Sequence, residues 1–209
     1  MRTPRIKGRY HAFAELIKHE QAGKDYRQIV RVRESAIAVL APHGGGIEPG
    51  TSELAEAIAG DELSLYCFEG LKRDDNDILH ITSTQFDAPK CVALVEDAQI
   101  AVAVHGCRGP TPIIYVGGRH APLKQRLIAR LHQAGFRTQH DDNHAHAGRL
   151  STNICNRGRA GRGIQLEITQ GLREHLFAGL ARPQRKRTTP MFETLVNAVR
   201  TVLLSVPDS

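Results

Sequence analysis

Two apolar runs, "SAIAVLAPH" (35–43) and "QIAVAVHG" (99–106), constrain this chain more than any other feature. Each reads as a buried strand, because neither leaves polar positions for a solvent face. Helical patterns alternate with strand-like ones along the rest of the chain. "GTSELAEAIAG", "DAPKCVALVEDA" and "APLKQRLIARLHQAGF" are interleaved with "YRQIVRVRES", "ELSLYCFEG", "ILHITST", "TPIIYVGGR" and "GIQLEIT". That alternation predicts a layered α/β fold around a largely parallel or mixed sheet. Thr51 or Ser52 is expected to cap the first of these helices and Asp87 the second.

The two buried runs end alike, in Pro42-His43-Gly44 and in His105-Gly106. Glu167 lies near the end of "GIQLEIT". In open α/β sheets, sites form outside the carboxyl ends of the strands, so three chemically competent residues fall where this fold class places its crevice. "APHGGGIEPG" (41–50) adds Glu48 after three glycines, bare backbone on which Glu48 can fold back beside His43. Two histidines and a carboxylate with one position open are a common catalytic zinc set. A strand-end histidine is also commonly a packed, hydrogen-bonded residue, and spacing alone leaves both readings open.

At 209 residues, 41% hydrophobic and 24% charged, the chain can bury one sizeable core. No run approaches the ~18 apolar residues of a membrane span, and the basic N-terminus lacks a signal-peptide core, so a soluble, cytoplasmic protein is expected. Four cysteines without CxxC spacing are expected to be reduced and buried. A net charge of +6 suggests a polyanionic partner, whether nucleic acid, a polycarboxylate or an acidic membrane. "ARPQRKRTTP" reads as a basic linker and "MFETLVNAVRTVLLSV" as a terminal helix packed on the body. Residues 1–180 are therefore taken as the main domain and 181–209 as an appendage whose removal from about 183 leaves the chemistry intact.

The segments "DYRQIVRVRESAIAVLAPHGGGIEPGTSELAEAIAG", "YCFEG", "LHITST", "VHGCRG", "NICNRGRAGRGIQLEIT" and "GLRE" closely resemble the poly-γ-glutamate hydrolase family of phages and bacteria. Some members of that family have been labelled phage-related replication proteins. The resemblance runs in order from about Asp25 to Arg173. It implies an α/β/α sandwich with a central mixed sheet, similar to zinc carboxypeptidases, and one Zn2+ per chain. It assigns the metal to His43, Glu48 and His105, the general base to Glu167, and a substrate carboxylate to Asn156 and Arg157. Read from position alone, Arg108, three residues after His105, is a further cation able to bind a substrate carboxylate in the same crevice. Two departures from the carboxypeptidase pattern stand out. His43 and Glu48 are five apart where three is usual, and the Asn-Arg pair follows the third ligand.

The function expected is zinc-dependent hydrolysis of γ-glutamyl amide bonds in poly-γ-glutamate or a related carboxylate-bearing substrate. The rival is a phage-related nucleic-acid-binding replication accessory protein. It would use the positive charge and the "RPQRKR" run but leaves the strand-end His and Glu residues unexplained, and no known nucleic-acid motif is visible. Nucleic acid and membrane are therefore not expected partners, and the sequence leaves oligomeric state open. His140, Asp141, Asp142, His144 and His146 could form a second metal cluster but read better as a solvated loop. Cys107 reads as a structural thiol. Glu69 could orient a ligand histidine or simply be a hydrogen-bonded turn residue.

Overall fold

The apolar runs become the two central strands of a mixed sheet. In the computed structural model, residues 8–139 and 147–207 are described. The strands are β1 (Tyr26–Arg31), β2 (Ile37–Gly45), β3 (Ser64–Gly70), β4 (Ile100–Cys107), β5 (Ile114–Gly117), β6 (Thr138–Gln139) and β7 (Ile164–Thr169). Their order is β1-β3-β2-β4-β7-β5-β6. The central four, β3, β2, β4 and β7, run parallel, while β1 and β5 are antiparallel to their neighbours β3 and β7. The helices are α1 (Phe13–Leu16), α2 (Thr51–Ala59), α3 (Pro89–Asp97), α4 (Ala121–Gln133), α5 (Gln170–Leu176) and α6 (Pro190–Leu203).

Alternation along each strand feeds two cores. Ile37, Val39 and Ala41 of β2, with Val102 and Val104 of β4, pack against α2, α4, α5 and α6. Ala38, Leu40, Ala101 and Ala103 face the other way, toward α1 and α3. The result is the expected α/β/α sandwich with a central mixed sheet. The crossover through α2 carries β2 out to β3, and that through α3 returns on the opposite face to β4. The strand order therefore reverses between β2 and β4, and the carboxyl ends of these strands are where this fold class places its ligand site.

Three local expectations are corrected. Neither Thr51 nor Ser52 caps α2, whose N-cap position is Gly50 and whose first turn already contains both. "ILHITST" is not a strand: Asn76–Leu79 form a single 3-10 turn, and the chain then runs irregularly over the strand ends. Its apolar alternation comes from Leu79 and Ile81 inserting into the α1/α3 core, where Phe86 follows them, not from pairing in the sheet. Asp87 does not cap α3, whose N-cap position is Ala88; its Oδ1 instead accepts a hydrogen bond of 2.6 Å from the Phe13 amide and ties down α1.

The tail beyond residue 180 is built into the body. Phe192, Leu195, Val196, Ala198, Val199, Val202 and Leu203 of α6 lie in the same core as α2 and α4. The basic run is clamped as well. The buried Arg185 guanidinium donates to Glu53 Oε1 and to the Leu180 carbonyl, each at 2.6 Å, and Arg182 donates to the Gly70 carbonyl at 2.6 Å. Burying one Val, Leu or Phe side chain is worth about 1.5–3 kcal/mol, and a whole domain is stable by only about 5–15 kcal/mol. Truncation at residue 183 is therefore expected to abolish cooperative thermal unfolding, as read by circular dichroism. A sharp transition in the truncated chain would show that α6 is dispensable. No helix among the described residues is long and apolar enough to cross a membrane.

Candidate metal centre

Register determines which residues meet at the crevice. Leu40 of β2 lies beside Ala103 of β4, so strict alternation would send His43 and His105 to opposite faces of the sheet. An irregularity intervenes between Ala41 and Gly44: three steps along β2 match two along β3, from Cys67 to Glu69. The extra residue re-aims His43 onto the face of His105. Pro42 sits in this bulge, the position at which a central strand tolerates proline.

The glycines that follow let the backbone approach its neighbours closely. A Cβ on Gly44 would lie 2.0 Å from the Ser52 hydroxyl, and one on Gly45, at φ +64, would lie 2.5 Å from the Gly70 carbonyl. The turn closes when the Glu48 amide donates to the His43 carbonyl at 2.8 Å and the Thr51 hydroxyl donates to the Glu48 carbonyl at 2.8 Å. Glu48 is thereby folded back over the strand ends.

His43 Nδ1 lies 3.1 Å from His105 Nδ1 and 3.3 Å from Glu48 Oε1, and His105 Nδ1 lies 3.5 Å from Glu48 Oε2. Ligands ~2.0–2.1 Å from a tetrahedral ion are ~3.3 Å from each other, so these spacings fit the edges of one metal's coordination shell. The outer nitrogens face elsewhere. His43 Nε2 donates to the Ile81 carbonyl at 2.7 Å, which keeps the proton there and leaves the Nδ1 lone pair for a cation. His105 Nε2 lies 3.4 Å from the Ser83 hydroxyl. The loop that was expected to be a strand supplies both partners. Glu48 Oε2 also accepts from the Gly106 amide at 2.9 Å. Burial would push the Glu48 carboxyl up, but the surrounding imidazoles of His43, His105 and His80 hold it well below the usual carboxylate range. Two imidazole lone pairs and an ionised carboxylate at one buried point form a donor set for a cation. Among the described residues, these three are brought together as a potential metal-binding group.

Glu167 lies beside His105 in the pairing of β4 with β7, on the same face. The Gln165 amide donates to Glu167 Oε1 at 3.0 Å, and Gln165 Oε1 accepts from Asn153 Nδ2 at 2.8 Å. Sequence reading missed this chain. It settled on the second asparagine of "NICNRG", whereas the first one reaches Glu167 through Gln165. It also missed His80, whose ring stacks on His43 with centroids 3.8 Å apart and whose Nε2 is 3.6 Å from Glu48 Oε1.

The structure does not bring Asn156 and Arg157 to this group. Asn156 is buried, donating to the Gly148 and Leu150 carbonyls and accepting from the Arg119 and Gly163 amides, so its amide is spent on holding a loop. Arg157 reaches the Phe86 carbonyl and Glu96 of α3, each at 3.3 Å. Arg108 is exposed just past the end of β4. Glu69 pairs with Arg27 rather than orienting a histidine. The Cys107 thiol is pushed up to about 12 by burial and by the charge of Glu167, so it stays protonated. The His140–His146 stretch lies outside the described residues.

A family profile described as poly-gamma-glutamate hydrolase matches residues 10–198. UPF0714 protein YndL of Bacillus subtilis (strain 168) is 39% identical over 169 residues, which cover 80% of this chain and 66% of YndL. The match thus spans just under two thirds of that relative's length. A solved structure of YndL, described as apo and zinc-free, superposes with a TM-score of 0.91 at 34% identity, covering 95% of this chain and 98% of that one. A bacteriophage poly-γ-glutamate hydrolase gives 0.90 at 29% identity, covering 93% and 96%. N-formylglutamate amidohydrolase from Ralstonia eutropha JMP134, at 13% identity and a TM-score of 0.54 over 87% and 96% of the chains, shares the fold alone.

Proposed function

This chain belongs to the poly-γ-glutamate hydrolase family, and we propose that it is a zinc-dependent enzyme cleaving γ-glutamyl amide bonds of poly-γ-glutamate or a related carboxylate-bearing amide. The observation that carries this reading is the convergence of His43, Glu48 and His105 at the switch point, with Glu167 alongside. The zinc-free description of YndL and the naming of the phage relative support the metal and the substrate.

In this reading His43, Glu48 and His105 hold one zinc ion per chain. Zinc bound there would supply Lewis-acid polarisation and an acidified water. Glu167 takes the proton of the attacking water on its carboxylate and later delivers it to the leaving amine nitrogen. Gln165, held by Asn153, keeps Glu167 aimed through its hydrogen bond to Oε1. Arg108, three residues beyond His105, meets a substrate carboxylate at the mouth of the crevice, where guanidinium geometry favours a paired contact. Asn156 and Arg157 serve the same reaction indirectly, by shaping the loop that precedes β7.

Poly-γ-glutamate carries a free α-carboxylate on every residue, so charge should matter. A charged hydrogen bond is worth about 1.5–3 kcal/mol, and Arg108 is exposed, which favours the lower end of that range. Arg108→Ala is expected to lower kcat/KM on the polymer by about tenfold, leaving zinc content and hydrolysis of an amidated, neutral analogue unchanged. Equal cleavage of charged and neutral substrates by the wild type would replace the polycarboxylate reading with a generic acyl-amide hydrolase.

A further inference from the structure

Arg173 of α5 is almost wholly buried, at 5% exposure, and has no part in the chemistry above. Its guanidinium donates to three backbone carbonyls: Nε to Ile168 at 3.1 Å, Nη1 to Pro49 at 2.6 Å and Nη2 to Cys107 at 3.0 Å. These carbonyls belong to three segments distant in sequence. Ile168 follows Glu167, Pro49 follows Glu48, and Cys107 is two residues beyond His105. One side chain therefore touches the chain immediately after each carboxylate and after the second histidine of the site.

It does so from behind. Gly106 points toward the α2/α5/α6 face, opposite to His105, and a Cβ placed on it would lie 2.7 Å from Arg173 Cζ. The Gly106 amide is also the one that donates to Glu48 Oε2. The glycine of "VHGCRG" and the arginine of "GLRE" are thus complementary: one leaves the space that the other fills. Burial disfavours the charged guanidinium, and the three carbonyls and the nearby charges of Glu48 and Glu167 offset this in part. Only a planar, rigid fork can hold three acceptors at fixed relative positions, and a lysine ammonium lacks that geometry.

We propose that Arg173, seated against Gly106, is the positioning residue that locks the loops after Glu48, His105 and Glu167 into one arrangement, so that the metal set and the base are preformed. The locking claim stands on the backbone contacts; its consequence for zinc rests on the function proposed above. The test therefore has two arms, applied to Arg173→Lys and, as an independent route to the same displacement, Gly106→Ala.

The first arm is amide hydrogen exchange on metal-free protein. Exchange should quicken about tenfold or more in segments 44–50, 105–110 and 167–171 together, while β1 and α6 stay as in the wild type. The second arm is zinc competition against a chelator. Affinity should fall about 10- to 100-fold, the usual effect of losing a group that orients ligands. With turnover measured on the zinc-loaded variants, kcat should fall while KM is held, because Arg173 does not touch substrate. Faster exchange confined to α5, or a lowered melting temperature with unchanged zinc affinity and unchanged loop exchange, would overturn the proposal. If the wild type takes up no zinc, the metal reading fails, and the exchange arm still decides the role of Arg173.

Discussion

Replacing His105 with alanine is expected to abolish zinc binding and lower hydrolysis by about three to five decades. Metal contributions of several kcal/mol to the barrier, at about 1.4 kcal/mol per decade, set that range. His43→Ala should do the same, because the two Nδ1 atoms are neighbours 3.1 Å apart and neither can hold the ion with Glu48 alone. Both rings are buried, so unfolding must be separated from metal loss. His43→Gln provides that control: its amide can still donate to the Ile81 carbonyl while the Nδ1 lone pair is gone. A folded His43→Gln protein without zinc, measured by elemental analysis, is the expected result. Zinc at wild-type stoichiometry in both alanine variants would remove these residues from the metal site.

Glu167→Gln has the second largest effect. It should keep zinc and lose about two to four decades of kcat, the usual worth of a general acid and base. The fold should survive, because the new amide can turn its oxygen toward Gln165 Nε2, as the carboxylate does now. Glu48→Gln should behave oppositely, losing metal first, because the Glu48 carboxylate faces both ligand histidines. A zinc-free Glu167→Gln beside a zinc-loaded Glu48→Gln would mean the two roles are exchanged.

The sheet and the strand-end residues were legible because burial on both faces leaves an uninterrupted apolar run, and each run stops at a histidine. Periodicity records burial, however, and says little about register. Whether His43 faces His105 depends on one extra residue between Ala41 and Gly44. The sequence carried a trace of that bulge in Pro42, a proline inside an otherwise central strand. The partners of the outer imidazole nitrogens were hidden by a misleading pattern: Leu79 and Ile81 alternate with polar neighbours like a strand while packing as a loop.

Asn156 and Asn153 show a different limit. Both lie in one short motif, and only the fold distinguishes the one that holds backbone from the one that leads to Glu167. Arg173 shows the same limit: nothing in "GLRE" marks its three carbonyl partners, 124, 66 and 5 residues away. The tail's terminal helix packs on the body as its apolar face implies, whereas the stretch before it shows the same limit as Arg173. A basic, Pro-flanked stretch looks like a linker, but Arg185 and Arg182 are spent on Glu53 and on the Gly70 carbonyl, and α6 closes the core behind them.

The most direct test of the account is the size distribution of poly-γ-glutamate after incubation with the purified protein, stripped with chelator and then reloaded with about one equivalent of zinc. The account predicts an unchanged polymer with the stripped protein and progressive shortening, with new free amines, once zinc is restored. Shortening by the stripped protein, or an intact polymer with the zinc-loaded one, would contradict it.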